Sequence, residues 1–185
     1  MRRLTAARFA PLAALAAGAL VAAGACVDST QARSGGAARE VDVRAALGAH
    51  VARAAARSEV PVRLPARLLL DYDGPVYGSG TGSRRSWTLS LAGAPRCGAN
   101  ACFLAFFSGE RGGRPAFTRR VALARGLTGF YKPLSCGASC SPPQIQWLQG
   151  GVLYDIQAKV GVAGAARQRG ALVAAANEAI AAQPS

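Results

Sequence analysis

The chain has 185 residues, 51% of them apolar, which excludes a disordered polypeptide and fits one domain with a real core. Its formal net charge is +13, from 22 basic residues against 9 acidic ones. A single His and five Cys leave little material for a zinc site or a His-based catalytic centre.

A balance this basic suits nucleic acid, an anionic membrane surface or an acidic polymer. All the basic residues except Lys132 and Lys159 are Arg, however, in a chain crowded with Ala and Gly. A GC-rich coding sequence produces that composition without any ligand. No nucleic-acid motif is present, so nucleic acid is not an expected partner.

The chain begins "MRRLTAARFAPLAALAAGALVAAGAC". Arg2, Arg3 and Arg8 precede an uncharged stretch over 9–25, and Ala23-Gly24-Ala25 puts small residues at the cleavage positions. That is the plan of a secretory signal peptide over residues 1–25. The apolar stretch would reach roughly 25 Å as a helix, short of the ~30 Å of a bilayer core, which argues against a membrane anchor. Removing the three arginines takes the charge from +13 to +10.

Cys26 follows the small-residue run and resembles the lipidated Cys of the bacterial lipobox. The departure is Ala23, where the lipobox carries a larger aliphatic. Two outcomes stay open: a lipid on Cys26 that anchors the protein to a membrane, or cleavage and release into the periplasm or medium. Setting Cys26 aside leaves an even four cysteines for the fold.

Residues 26–39 are small, polar and without periodicity, as in a flexible tether. From Glu40 to Arg57, Val43, Leu47, Val51 and Ala54 fall on one helical face, and His50 borders it as a packed helix residue. "PVRLP" ends that helix, "RLLLDY" reads as a short strand, and "DGPVYGSGTGSRR" reads as loop. "SWTLSL" alternates as a half-buried strand, and "CFLAFF" and "FTRRVAL" follow as further strands. "IQWL" and "VLYDIQAKV" flank Gln149-Gly150-Gly151, read as a three-residue hairpin connection. In the second strand Leu153, Asp155, Gln157 and Lys159 share a face expected to be mostly wet. Residues 165–182 form a closing helix on Leu172, Val173, Ala176, Ala179 and Ile180.

The expected fold class is α+β. An antiparallel β-meander of about 5–6 strands carries an N-terminal and a C-terminal helix on one face, in a single domain over 40–182 with a tail at 183–185. "IQWLQGGVLYDIQAKV" with "LVAAANEAIAA" resembles the C-terminal part of exported bacterial (lipo)protein domains of unknown function. That resemblance implies the fold and an extracytoplasmic location, and it transfers no catalytic residue.

Little points to catalysis. Asp71 and Asp73 in "DYDG" lack the further oxygen ligands of a calcium loop. "GSGTGS" lacks the Gly-Lys-Ser/Thr of a P-loop, and Ser79 lacks a hydrolase elbow and a His partner. Trp87, Phe103, Phe106, Phe107, Trp147 and Tyr154 at strand spacing read as core before they read as a cavity lining. No cofactor and no metal site is expected. The resulting expectation is a non-catalytic cell-envelope protein with a binding or structural role, its ligand unidentified: an envelope protein, an acidic or cell-wall polymer, or an apolar ligand. The alternative is a secreted hydrolase with dispersed site residues.

Two readings concern specific residues. Taken as successive strands, Ser86–Leu91, Cys102–Phe107 and Phe117–Leu123 put Arg84, Arg85, Arg111 and Arg114 at one end of the sheet, a candidate anion-binding cluster. The pairs Cys97/Cys102 and Cys136/Cys140 lack the C-x-x-C of redox and zinc sites, and export makes them structural disulfides. Loop entropy alone favours long-range bonds, at ~4 kcal/mol for a ring of about forty residues against ~2 for one of about six. If "TGFYKPL" is a strand, a meander puts the two pairs at opposite ends of the sheet, beyond the ~7 Å that a disulfide tolerates. If it is loop, cross-pairing stays open. The expected bonds are Cys97–Cys102 and Cys136–Cys140.

Overall fold

The alternation of Trp87, Leu89 and Leu91 with hydroxyl residues builds an interior strand, second from one edge, of a large antiparallel sheet. The computed structural model describes residues 38–182. The expected signal peptide, Cys26, the expected tether up to residue 37 and the expected tail at 183–185 lie outside the described residues. Among the described residues the fold is α+β with seven strands in the main sheet.

In chain order, strand β1 (Arg39–Asp42) leads into helices α1 (Val43–Leu47) and α2 (Ala49–Arg57), then β2 (Arg67–Leu70). Next come β3 (Tyr77–Ser83), β4 (Ser86–Ala92), β5 (Phe103–Arg111) and β6 (Arg119–Ala122). A 3-10 turn (Ala124–Gly126) precedes β7 (Thr128–Lys132), β8 (Ser135–Cys136) and β9 (Cys140–Ser141). Strands β10 (Gln144–Gln149) and β11 (Val152–Ala158) and helix α3 (Ala165–Ala181) complete the domain. The main sheet runs β3-β4-β5-β11-β10-β7-β6, while β1-β2 and β8-β9 form separate two-stranded ribbons.

Four expectations need correction. The single helix over Glu40–Arg57 is instead a strand and two short helices. Residues 39–42 pair with β2, and the Asp42 carboxylate accepts from the Ala45 amide at 2.9 Å, starting the helix only at Val43. Gly48, at φ 52, then breaks the helix in two.

The second correction is β3, expected as loop. Its glycines do not mark a turn; they mark a close approach. A Cβ at Gly78 would sit 2.6 Å from the Ala46 carbonyl oxygen, and one at Gly82 the same distance from that of Ala54. Helices α1 and α2 therefore lie directly on the backbone of β3, while Ser79, Thr81 and Ser83 face outward.

Third, the sheet is not a meander. The β10–β11 hairpin inserts between β5 and β7, and β6 ends at the far edge. Gln149 pairs with Val152, so the hairpin connection is the two residues Gly150 and Gly151, at φ 59 and 75, rather than three.

Fourth, β6 starts at the end of the sheet opposite to where β5 finishes, because Arg111 pairs with Val152 and Arg119 with Tyr131. Residues 112–118 must therefore cross the sheet on its polar face. The Ala116 amide donates to Gln146 Oε1 at 2.8 Å, and Lys132 Nζ lies 5.9 Å from the Phe117 ring centre. This strap buries Leu153 and Asp155, so their face is not wet.

The apolar face carries Trp87, Leu89, Leu91, Phe107, Ile145, Trp147, Tyr154 and Ile156, all buried. Trp147 stacks on Tyr154 at 5.3 Å, and Trp87 Nε1 and the Tyr154 hydroxyl both donate to the Pro61 carbonyl at 3.2 Å. Leu172, Ala176 and Ile180 of α3 join the same core. Burial of side chains this large is worth about 1.5–3 kcal/mol each.

Candidate ligand-binding site

The long connection from β4 to β5, residues 93–102, is the most heavily pinned loop described. Gly93 N–H donates to the Cys102 carbonyl at 2.8 Å, closing the loop's neck. Cys97 and Cys102 are bonded, with their Cα atoms 6.0 Å apart. The Tyr72 hydroxyl donates to the Gly93 carbonyl at 3.0 Å. From β11's end, Lys159 Nζ donates to the carbonyls of Asn100 at 2.7 Å and Ala101 at 3.2 Å. Burial holds the Lys159 ammonium below its usual pKa, with Asp71 opposing the shift.

This loop forms one wall of a cavity of about 510 Å³ at the start of β3. Ser79 and Ser90 come from paired positions of β3 and β4, Phe103 from β5 and His50 from α2. The sequence reading noticed Ser79, His50, Phe103 and Cys97, each for another reason. It missed Tyr77, Ser90, Arg96 and Asn100. The available signal was Arg96, directly before Cys97 in a loop closed by two cysteines. Its φ of 54 is in the left-handed region, uncommon for a residue with a Cβ.

The lining holds an imidazole, a guanidinium, hydroxyls and an amide, and no carboxylate. Arg53 Nη2 lies 3.1 Å from His50 Nδ1. A guanidinium only donates, so in this contact Nδ1 accepts and Nε2 carries the proton. A larger, more open groove of about 790 Å³ runs between β2 and α3. Its floor is mainly aliphatic, and its Glu178 carboxylate already accepts from the Ala66 amide at 3.1 Å. Polar groups converge in the smaller cavity, so that one is the better binding site.

The four arginines singled out in the sequence fare differently. Arg84 and Arg85 form the β3–β4 turn and Arg111 ends β5, at the same end of the sheet. There they hold the structure to itself. Arg84 Nε meets Glu59 Oε1 at 2.7 Å, Arg111 Nη2 donates to the Glu59 carbonyl at 3.2 Å, and Arg85 Nη2 to the Arg111 carbonyl at 3.3 Å. Arg114 lies exposed in the strap. Trp87, Phe107, Trp147 and Tyr154 are core, whereas Phe106 is half-buried on the opposite face. Asp71 and Asp73 are exposed, and among the described residues no group of three or more His, Cys, Asp or Glu is placed to hold a metal.

Cys136 and Cys140 are bonded as well, their Cα atoms 4.0 Å apart. The bonds are local, but the topological reason for expecting them fails. "TGFYKPL" does contain a strand, β7, and both rings nevertheless sit at one end of the sheet. Asn100 Nδ2 reaches Ser139 Oγ at 3.4 Å. The strap's crossing reverses the direction of β6 and β7 and so brings the second ring to the first.

Among the described residues, Asp155 is the one buried carboxylate. Gln144 and Gln146 each donate to its Oδ2 at 2.6 Å, while Oδ1 is buried without a partner. Burial raises its pKa, and the two glutamine hydrogen bonds partly offset that. The group lies under the strap and lines none of the cavities described above. No family model matches the chain, nor does any curated protein or solved structure.

Proposed function

We propose that the protein is exported to the cell envelope, held at a membrane by a lipid on Cys26, and binds a small ligand without catalysis. The site is the cavity between β3 and the Cys97–Cys102 loop. One observation carries this reading: the cavity's loop wall is braced by a disulfide, a Tyr hydroxyl and a Lys ammonium together. A preformed wall lowers the ordering cost of binding. The basic, apolar, small-residue order of residues 1–25 and the resemblance of the C-terminal hairpin and helix to exported bacterial domains support the compartment. Two disulfides are compatible with an oxidising, extracytoplasmic location.

Native mass spectrometry of protein purified from bacterial envelopes tests both halves. The N-terminal peptide should carry an acyl mass that Cys26→Ser removes, with release into the soluble fraction. A small co-purifying mass should be lost when Ser90→Trp fills the cavity. An unmodified N-terminus with unchanged fractionation ends the lipid reading. A bound mass that survives Ser90→Trp ends the cavity reading.

A further inference from the structure

We infer that this cavity is an anion site whose charge is Arg96, taking a ligand that carries a carboxylate or phosphate group; the inference rests on the cavity reading above. Besides Arg96, the polar side chains of the lining are donors or dual-role groups, namely His50, Tyr77, Ser79, Ser90 and Asn100, with no Asp or Glu. A cation entering it would meet no countercharge, whereas an anion meets donors on several sides.

The state of Arg96 itself is the second observation. Arg84, Arg85 and Arg111 engage Glu59 or backbone carbonyls. Arg96 has no hydrogen bond, ion pair or ring contact among the described residues. It is also held at φ 54, beside the disulfide that closes its loop. A left-handed backbone at a non-glycine residue costs roughly 1 kcal/mol or more and persists where the surroundings impose it. An unpaired guanidinium carried on a braced loop is available for a charge-assisted pair. Leu91 and Phe103 provide apolar surface for the rest of the ligand.

The anion has two possible sources, a soluble small molecule or a lipid headgroup. Ala38 packs beside Gly161, just beyond Lys159, so the chain enters the domain at the cavity's end of the sheet.

The test uses the mature protein with both disulfides oxidised, titrated with inorganic phosphate and with acetate while amide and Arg side-chain NMR signals are followed. Saturable shifts should centre on 79, 90 and 96–103. Arg96→Gln should weaken them roughly tenfold or more. Arg85→Gln, at the opposite end of the sheet, should leave them unchanged. Arg96→Gly guards against misfolding, because glycine accepts φ 54 without strain and should fold at least as stably while losing the anion.

No saturable shift in the wild type, or equal weakening by Arg85→Gln and Arg96→Gln, overturns the inference. A second arm uses neutral phosphatidylcholine vesicles with and without phosphatidylglycerol. Binding to the anionic vesicles that Arg96→Gly abolishes identifies the headgroup source, and binding of the soluble anions alone identifies the soluble one. An envelope ligand that Arg96→Gly still retains, but Ser90→Trp excludes, refutes the anion chemistry and leaves the cavity reading standing.

Discussion

The two ends of the main sheet are held by different means. At one end the chain reverses in two-residue turns, Arg84-Arg85 and Gly150-Gly151, and the surroundings are tied by arginine bonds to Glu59 and to carbonyls. At the other end the connections are long, 93–102 and 133–143, and each contains a disulfide ring. Tight turns bury or pair most of their own backbone and need no brace. Long loops leave backbone groups to water and lose more entropy on ordering, so a covalent closure matters more there. The candidate cavity lies at the long-loop end, where chemistry can vary without disturbing the sheet.

The largest effect should come from the anchor at the turn end. Trp87→Ala removes a buried indole, its hydrogen bond to Pro61 and its packing near Tyr154. A loss of about 3–5 kcal/mol is expected in urea unfolding. A loss below 1 kcal/mol would mean that the turn end does not depend on this packing.

Next come the two rings, which sharpen the contrast within the long-loop end. Replacing both cysteines of either pair by Ser should cost about 2 kcal/mol, since rings of five or six residues constrain the unfolded chain similarly. Function should separate them. Cys97→Ser with Cys102→Ser should weaken binding in the cavity, and Cys136→Ser with Cys140→Ser should not. Equal binding losses would place the site elsewhere at that end.

The third prediction concerns the strap that links the two ends. The folded pKa of Asp155 is raised by burial, so the folded state holds its proton to higher pH than the unfolded chain does. Its contribution is fully present below the unfolded value of about 3.9 and is lost as pH rises through the folded pKa. The stability difference between Asp155→Asn and wild type should therefore shift in the variant's favour as pH rises across that window. A difference independent of pH would show that the carboxyl is not buried as described.

The smallest effect belongs to the exposed pair at the turn end. Arg84→Gln breaks the contact to Glu59, whose partners are largely in solvent, and should cost less than about 1 kcal/mol and less still in high salt. A larger, salt-insensitive loss would make the arginine bonds, not the Trp87 packing, the main support of that end.

Local pattern made much of the fold legible. Trp87, Leu89 and Leu91 and the period-two run over 152–158 announced β4 and β11, and the stripe on Leu172, Ala176 and Ile180 announced α3. Glycine was misread at β3, because a glycine that admits a helix and a glycine that makes a turn look alike without the helix in view. The candidate site was legible only in pieces. Cys97 and Cys102 were prominent, but Arg96, Tyr77, Ser90 and Asn100 belong to segments that meet only once β3, β4 and the loop are folded together.

Composition and short-range periodicity determined the fold class, the core residues of β4 and the closing helix, because those depend on which face of a local element is apolar. Strand order, the direction of β6 and β7, the strap over Asp155 and the meeting of both rings at one end were decided by the tertiary structure alone. They depend on which distant surfaces pair, and the chain from β5 to β6 carries no local mark of its crossing. The buried state of Asp155 follows from the same cause: its own strand made it a solvent-facing residue, and only residues 112–118, folded back across the sheet, took the water away.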